Sequence, residues 1–139
     1  MKMIDSRLSI SSRGNTDIID ITARVEKEVS KSGLSNGVIT LFVSGSTGAL
    51  TALEYEPNLV KDLRDAFERL APEDIEYAHS KTWGDHNGHS HIRASLVGPS
   101  LQVPFRDKRL RLGTWQQIVF IDFDTRPRKR DLTLQLIGE

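Results

Sequence analysis

The sequence predicts an α+β fold, a sandwich of mostly antiparallel β-sheets with two main helices. Two segments in the first half repeat apolar residues with helical spacing, and short runs of strand character fill much of the rest. The runs of the second half follow each other too closely for crossover helices, which favours antiparallel neighbours over βαβ units. A chain of 139 residues has the length of one domain, so we expect residues 1–139 to form a single domain.

The first half is predicted to combine strands with the two helices. Residues 7–11 alternate polar and apolar side chains before a turn at residues 13–15. From Asp17 to Ser32 apolar residues recur every three or four positions and a glycine follows, as in an amphipathic helix with a glycine stop. A second helix begins at Pro57, since proline favours the first helical turn, and ends at Pro72. The other predicted elements are a buried strand at Val38–Val43 and a short strand at Thr51–Tyr55.

The second half is predicted to be almost wholly β-strand. Residues 91–97 alternate apolar and polar side chains, which predicts a strand with two different faces. The core face carries Ile92, Ala94 and Leu96, and the other face carries His91, Arg93 and Ser95. Further strands are predicted at Leu101–Phe105, Leu110–Leu112, Trp115–Phe123 and Leu132–Ile137.

Composition narrows the classes of function. Lysine plus arginine and aspartate plus glutamate number 19 each, so the global electrostatics neither favour nor exclude a nucleic-acid partner. The absence of cysteine excludes disulfides and thiolate catalysis. The first residues lack the apolar core of a signal peptide, and no apolar run is long enough to span a bilayer. We therefore expect a cytoplasmic protein with no membrane partner.

All four histidines fall in one short segment, and this clustering is the strongest functional indication of the sequence. On a strand, His89 and His91 would share a face, roughly 6–7 Å apart, from which both can reach one metal ion. His79 can supply a third nitrogen and Asp85 or Glu54 an oxygen. Such a set leaves an open position for water, as at catalytic zinc, although nickel or copper would also accept it. The alternative is a glycine-rich loop whose histidines are solvated.

Two further segments carry groups that can bind anions. Residues 45–48, Gly-Ser-Thr-Gly, follow a predicted buried strand, and their N–H groups and hydroxyls can converge on an anion, although tight turns use the same residue types. Residues 126–130 form the only cationic run, which can grip phosphate groups or be a solvated hairpin tip. The run lacks interleaved aromatic residues, so we expect no nucleic-acid partner and assign a site role to Arg130 alone.

Several motifs together resemble one family. They are His91-Ile92-Arg93-Ala94-Ser95-Leu96-Val97-Gly98-Pro99-Ser100, Val103-Pro104, Leu110-x-Leu112-Gly113-Thr114-Trp115-Gln116, a late arginine before Gly138-Glu139, and upstream Gly45-Ser46-Thr47-Gly48-Ala49-Leu50, Glu54 and Tyr77-x-His79. Over nearly its whole length the chain resembles the YjbQ family, also called UPF0047. The resemblance implies an α+β sandwich flanked by helices and assembled as a homotrimer. It also implies a weak secondary thiamine-phosphate synthase activity, which joins a thiazole phosphate to a pyrimidine pyrophosphate.

The resemblance further implies a set of polar site positions. In this chain they fall on Ser46, Thr47, Glu54, His79, Asp85, His91, Ser95, Gln116 and Arg130. One position departs from the family pattern, because many bacterial relatives carry a histidine where this chain has Gly45. His86 and His89 instead enrich the later loop, which leaves open whether the metal ligands are exchanged or absent.

Together these observations predict a small trimeric enzyme with its site at a subunit boundary. The predicted catalytic residues are His79, His91, Glu54 and Asp85; the predicted phosphate-binding residues are Ser46, Thr47, Arg93, Ser95, Gln116 and Arg130; the predicted ligands of zinc or another divalent metal are His79, His89 and His91. Arginines and the metal would stabilise a departing pyrophosphate, with a histidine as proton carrier. The alternative is a non-catalytic protein that binds a metal or a phosphorylated small molecule, and RNA binding through residues 126–130 is a third hypothesis.

Overall fold

The structure, a computed structural model, describes residues 1–139 and contains eight strands and four helices. The strands are β1 (Lys2–Ser12), β2 (Asp17–Asp20), β3 (Gly37–Val43), β4 (Gly48–Leu53), β5 (Ser100–Arg106), β6 (Arg109–Leu110), β7 (Gln117–Asp122) and β8 (Arg128–Gly138). The helices are α1 (Thr22–Lys31), α2 (Pro57–Leu70), α3 (Ser80–Trp83) and α4 (Gly88–Val97). None of these helices has the length and apolar character needed to cross a bilayer.

The strands form two antiparallel sheets, which confirms the predicted α+β class. The larger sheet has the order β1-β8-β3-β5-β6, and the smaller sheet has the order β2-β7-β4. Every pair of neighbouring strands is antiparallel. A two-residue turn joins β5 to β6 at Asp107 and Lys108, and both residues have the positive φ that a tight hairpin requires.

The main hydrophobic core lies between the larger sheet, the smaller sheet and α1. Leu132, Leu134 and Leu136 of β8 are fully buried, whereas the residues between them reach solvent, as strand alternation requires. Val25 and Val29 bring one face of α1 into the same core. Burial of one such side chain contributes about 1.5–3 kcal/mol, so this alternation decides which face of the larger sheet turns inward.

A second core lies on the other face of the smaller sheet, beneath α2 and α4. Strand β7 separates the two cores. Its residues Ile118 and Phe120 belong to the main core, and Val119 and Ile121 belong to the second. The β7 segment is therefore a continuous apolar run, because both of its faces are buried.

Helix α2 begins and ends as the sequence predicts. The Glu56 carboxylate accepts hydrogen bonds from the backbone N–H groups of Asn58 and Leu59, and such a cap contributes about 1 kcal/mol. Near the other end, the ring of Phe67 packs edge-on against that of Phe123, with 4.8 Å between ring centres. The cap and the aromatic contact fix α2 over the smaller sheet.

The predicted helix over residues 17–32 is wrong in its first part. Residues 17–20 form β2, which pairs with β7, and only Thr22–Lys31 is helical. The β-branched residues Ile18 and Ile19 suit a pleated strand better than a helix. Ile18, Ile21 and Val25 recur at helical spacing, so the apolar pattern does not show that the helix begins only at Thr22.

The predicted strand over residues 91–97 is also wrong, because these residues belong to α4. The buried residues of this helix are Gly88, His89, Ser90, Arg93 and Ala94. Their spacing is that of one helical face. Ile92 and Leu96, predicted to face the core, are exposed. Gly98 then ends the helix with a positive φ, as glycine does at many helix ends.

The remaining predicted strands are present with shifted ends. β7 begins at Gln117 because the preceding residues form a turn, in which the Gln116 N–H donates to the Gly113 carbonyl oxygen at 3.0 Å. β1 and β8 are longer than predicted because they pair with each other over their whole length.

Candidate functional site

A buried ion pair forms the base of the candidate site, where β7 ends and β8 begins. Arg130 donates from Nε and Nη2 to the two carboxylate oxygens of Asp122, both at 2.9 Å, in bidentate geometry. Asp122 is completely buried, and Arg130 is 7% exposed. Because an unpaired buried charge is costly, each of the two residues fixes the position of the other.

Thr47, in the loop between β3 and β4, connects this pair to a second carboxylate. Its hydroxyl accepts from Arg130 Nη2 at 2.6 Å and donates to Asp124 Oδ2 at 3.0 Å. Arg128 donates to the same carboxylate oxygen at 2.8 Å, and the Thr125 N–H donates to Asp124 Oδ1 at 2.8 Å. Burial raises the pKa of Asp124, but the hydrogen bonds outweigh burial and hold that pKa below its usual value. Asp124 is therefore ionised at neutral pH.

Two imidazoles and a carboxylate lie on the segment that carries α3 and α4. The rings of His79 and His91 meet edge to face, with 4.5 Å between their centres. His79 Nε2 lies 3.7 Å from Asp85 Oδ1. Both histidines are half-buried, so a ligand can reach them. An imidazole oriented by a carboxylate is a typical proton donor and acceptor at neutral pH.

Asn87 lies between this histidine cluster and the ion-pair network. With its amide nitrogen turned towards Asp85, that nitrogen lies 3.0 Å from Asp85 Oδ1 and 3.3 Å from His79 Nε2. The opposite orientation gives one contact, 3.4 Å from the amide nitrogen to Asp124 Oδ1. We assign the first orientation because it makes more and shorter bonds. His79 Nε2 then accepts a hydrogen bond, which places the proton of the neutral ring on Nδ1.

An open cavity of about 440 Å³ adjoins these groups. Its lining is entirely polar and consists of Asp85, Asn87, Asp124, Thr125, Arg126 and Arg128. The volume lies within the range of small-molecule sites. With cationic and anionic side chains in one lining, the cavity suits a polar ligand that carries both a negative group and hydrogen-bond donors.

The structure brings together five of the residues predicted from the sequence. They are Thr47, His79, Asp85, His91 and Arg130. They come from three separate parts of the chain; Thr47 joins Arg130 to Asp124, and Asn87, which bonds Asp85 and His79, lies beside Asp124. Their location in one cluster supports the predicted site, and their catalytic and binding roles stay predictions.

His89 does not join His79 and His91. The prediction required a strand, whereas residues two apart on a helix point about 200° apart around its axis. His89 is buried, its Nε2 lies 3.4 Å from the Ser90 hydroxyl, and its Nδ1 has no hydrogen-bond partner. Burial lowers the pKa of its imidazole, so the ring is neutral at neutral pH.

The predicted zinc ligand set is therefore not assembled as proposed from the sequence. No group of three or more histidine, cysteine, aspartate or glutamate side chains is arranged to hold a metal ion. The two imidazoles that do meet are those of His79 and His91. Any metal hypothesis has to rest on this pair and Asp85.

Arg93 is not free to act as the predicted phosphate anchor. Its Nε and Nη2 donate to the Ala71 carbonyl oxygen at 3.0 and 2.9 Å. Nη1 donates to Thr16 Oγ1 at 3.0 Å, and Nη2 also donates to Glu68 Oε2 at 2.7 Å. The helical conformation of α4 turns this side chain inward instead of onto an open strand face. The guanidinium therefore holds α4 against the end of α2.

The other predicted residues make different contacts. Ser95 donates to a backbone oxygen of its own helix, and Gln116 accepts from a backbone N–H of its own turn. Glu54 lines a separate surface depression beside Trp115. Ser46 is exposed, one residue before the threonine that joins the network. Ser95 bonds the backbone carbonyl oxygen of His91 and not its imidazole, and the other three residues make no hydrogen bond to either histidine.

Four site residues were not predicted from the sequence. They are Asn87, Asp122, Asp124 and Arg128. One usable indication exists, because Asp122 and Asp124 end the most apolar run of the chain. A carboxylate in a buried strand requires a partner, and the cationic run begins a few residues later.

The whole chain is similar to one family of proteins. The model of that family, described as UPF0047 protein YjbQ-like, matches residues 6–139. A UPF0047 protein of Methanothermobacter thermautotrophicus is 34% identical over 139 residues, which cover 100% of this chain and 95% of the relative. The UPF0047 protein YugU of Bacillus subtilis is 31% identical over 132 residues, or 94% of this chain and 97% of the relative.

Solved structures share the fold. A crystal structure of a YbjQ-like protein of unknown function from Sulfolobus solfataricus superposes with a TM-score of 0.93 at 31% identity, covering 99% of both chains. A hypothetical protein from Aeropyrum pernix gives a TM-score of 0.91 at 30% identity, covering 98% of this chain and 99% of the other. These similarities confirm the YjbQ-like sandwich expected from the motifs.

Proposed function

The chain belongs to the UPF0047 family of YjbQ-like proteins, and from this premise and the site we propose that it is a small enzyme acting on a phosphorylated small molecule. The similar protein of known structure from Sulfolobus solfataricus is described as having unknown function, so the proposal depends on the chemistry of the site. One observation carries it. A polar cavity with two arginines in its lining adjoins the histidine paired with Asp85.

The arginines favour a phosphorylated ligand. Guanidinium groups match phosphate oxygens in geometry and charge. Arg128 already donates to Asp124 with one nitrogen, which fixes its direction. Arg126 is exposed and lines the same cavity, so its cation can move towards a ligand. A phosphate group in the cavity would meet both.

The specific reaction to test is thiamine-phosphate formation. A thiazole nitrogen attacks the carbon that joins the pyrimidine to its pyrophosphate, so a C–N bond forms while the C–O bond breaks. Pyrophosphate leaves with the electron pair of the broken bond. In this proposal Arg126 and Arg128 stabilise the departing anion, and His79, as an imidazolium paired with Asp85, gives it a proton and returns to the neutral ring. His91 supports the His79 ring from its edge.

Turnover by the purified protein tests the proposal. Thiazole phosphate and pyrimidine pyrophosphate are incubated with the protein, and thiamine phosphate is quantified by chromatography. His79→Gln should slow formation by about 100-fold or more, because general acid–base catalysis typically contributes 10²–10⁴-fold. His86→Asn is the matched control, since His86 is exposed and its positive φ suits asparagine.

Two results would contradict the acid–base role. One is a rate that His79→Gln leaves unchanged, and the other is an equal loss in the His86→Asn control. Tight binding of pyrophosphate without any turnover would instead favour the alternative, a non-catalytic protein that binds phosphorylated ligands.

A divalent metal is the second candidate at this cluster. Two imidazoles in ring contact and a carboxylate oxygen 3.7 Å from His79 Nε2 lie close together, and these three side chains would have to rearrange to hold one ion. A zinc ion bound there would polarise the pyrophosphate oxygens. Zinc content after dialysis against the metal checks this: we expect bound zinc and at least about a 10-fold loss of affinity in His91→Ala. Protein that retains no zinc refutes the candidate.

We also propose that the protein is a homotrimer, as the sequence resemblance implies. The outer face of the larger sheet supports a subunit contact, because exposed Met3, Ile137 and Val38 lie side by side across three strands. Contiguous exposed apolar surface typically marks an interaction site. Light scattering at micromolar concentration should give three times the mass of the chain, and a monomer mass would contradict the proposal.

A further inference from the structure

One nitrogen of the buried Arg130 side chain has no partner in the protein. Nε and Nη2 are occupied by Asp122 and Thr47. Nη1 donates to no protein acceptor. His89 Nδ1 is the only fully buried polar side-chain atom without a hydrogen-bond partner. Arg130 Nη1 also lacks a partner and therefore retains access to solvent, although Arg130 as a whole is only 7% exposed. A rigid, buried arginine thus presents one free N–H pair outward.

This free nitrogen lies directly over Gly45. A Cβ atom built on Gly45 would lie 2.5 Å from Arg130 Nη1 and 3.6 Å from Cζ. Real Cβ atoms do not approach a nitrogen so closely, and the bidentate bonds to Asp122 prevent the guanidinium from moving aside. In this chain, glycine at position 45 leaves room for Arg130 Nη1 in its present position.

The loop around Gly45 also contains unpaired donors. The N–H groups of Gly45, Ser46 and Thr47 make no hydrogen bond within the protein, and the loop is closed by the Gly48 N–H donating to the Gly45 carbonyl oxygen at 3.4 Å. Ser46 carries an exposed hydroxyl. Consecutive free N–H groups beside a cation are typical of a phosphate-binding loop.

Two carboxylates and two guanidinium groups close to this loop balance each other in charge. Asp122 neutralises Arg130 from the opposite edge of the guanidinium, and Asp124 lies 3.8 Å from Nη2. Arg128 pairs with Asp124. The Gly45 side of Arg130 is thus the edge on which a further acceptor can be bound.

We propose that Arg130 Nη1 and the N–H groups of residues 45–47 form an oxyanion subsite for a phosphate or pyrophosphate group, and that Gly45 determines its access. The inference rests on the proposed function, because it places the phosphorylated part of the ligand. Any side chain at position 45 occupies the approach to Nη1. The ligand class is then restricted to molecules whose terminal phosphate reaches this edge of the guanidinium.

Calorimetric titration with inorganic pyrophosphate tests the subsite without turnover. Gly45→Ala should weaken binding by roughly 10-fold or more, since one hydrogen bond to a charged group is worth about 1.5–3 kcal/mol. Gly113→Ala is the matched control, because a Cβ there meets only the Gln116 side chain, at 3.2 Å or more. Its affinity should equal that of the wild type. Equal affinity in Gly45→Ala would overturn the proposal.

A second measurement covers the case in which Gly45→Ala fails to fold. Side-chain ¹⁵N NMR of wild-type arginines should show the Arg130 Nη1 resonance shifting on addition of pyrophosphate, and a resonance that stays in place overturns the subsite. If Arg128→Ala weakens pyrophosphate binding and Gly45→Ala does not, the anion lies in the cavity instead, so the subsite is wrong while the proposed function stands. Normal pyrophosphate binding without turnover has the opposite meaning: the subsite stands and the proposed enzyme activity fails.

Discussion

The two halves of the candidate site are held in different ways. The Asp122 side chain is completely buried and shares two short bonds with Arg130. The Asp85 side chain is 47% exposed and approaches His79 at 3.7 Å. The ion-pair half is therefore fixed by the fold, whereas the histidine half depends on weaker contacts and can adjust to a ligand. The comparison predicts that substitutions in the first half act on stability and that those in the second act on chemistry.

Asp122→Asn should have the largest effect on stability. The substitution leaves Arg130 buried beside a neutral amide, and breaking a buried pair in this way typically costs about 3–5 kcal/mol. The free energy of unfolding from urea titration measures the loss. Asp131→Asn, on an exposed position of β8, is the control and should change stability little. If Asp122→Asn lowers the free energy of unfolding no more than Asp131→Asn does, the two halves of the site do not differ in their role in stability.

Arg93→Ala tests whether a residue acts on stability because it is buried or on ligand binding because it lies near His91 in the sequence. Arg93 lies two residues from His91, but its bonds to Ala71 and Thr16 are buried like those of the ion-pair half. Removing it leaves those acceptors unsatisfied, so we expect a loss of roughly 2–3 kcal/mol in unfolding free energy. Pyrophosphate affinity should be unchanged.

Arg69→Ala is the matched control, because it removes an exposed arginine near the end of α2 that Arg93 contacts. The sequence-based hypothesis gives the reverse pattern, with weaker phosphate binding and intact stability. Calorimetry and urea titration on these two variants therefore decide whether Arg93 stabilises the fold or binds phosphate.

Much of the fold follows from the apolar pattern. The buried run of β7 and the alternation of β8 identify one interior strand of each sheet. The pattern fails in α4, where Ile92 and Leu96 fit a strand by spacing but are exposed on a helix. Short segments can satisfy both periods, and only packing against the smaller sheet selects the helix.

The site is predictable in its residue types and less so in its contacts. Imidazole clustering indicates His79 and His91, because their chemistry is visible in the sequence alone. The bond between Thr47 and Arg130 joins residues 83 positions apart, and it depends on how β4, β7 and β8 meet. No local pattern encodes such a contact, so this partner of Arg130 appears only in the assembled fold, whereas the buried Asp122 is indicated by the sequence.

His89 gives a pH-dependent version of the comparison. Burial, together with the Arg93 charge, lowers the pKa of His89 in the folded protein below that of the unfolded chain. As pH falls below about 6.5, the unfolded state binds a proton that the folded state resists, so stability decreases until the folded pKa is passed. His89→Gln should remove this part of the decrease, an effect smaller than that of Asp122→Asn.

Unfolding free energies at pH 7.5 and 5.5 measure the difference in slope. His86→Asn is the control, because His86 is exposed and its substitution should leave the slope unchanged. If wild type and His89→Gln lose stability equally on acidification, the buried ring does not titrate as the fold implies.

His79→Gln should have the smallest effect on stability. It therefore separates most clearly a residue that acts on chemistry from one that stabilises the fold. His79 is half-buried, and its polar contacts are the 3.7 Å approach to Asp85 and the amide of Asn87. Substitutions at such positions usually change the free energy of unfolding by less than about 0.5 kcal/mol. The same variant is expected to lose most of its turnover, so its urea midpoint and its rate should change independently. If His79→Gln instead destabilises the protein as much as Asp122→Asn, the histidine half is structural, and the loss of activity in that variant would say nothing about proton transfer.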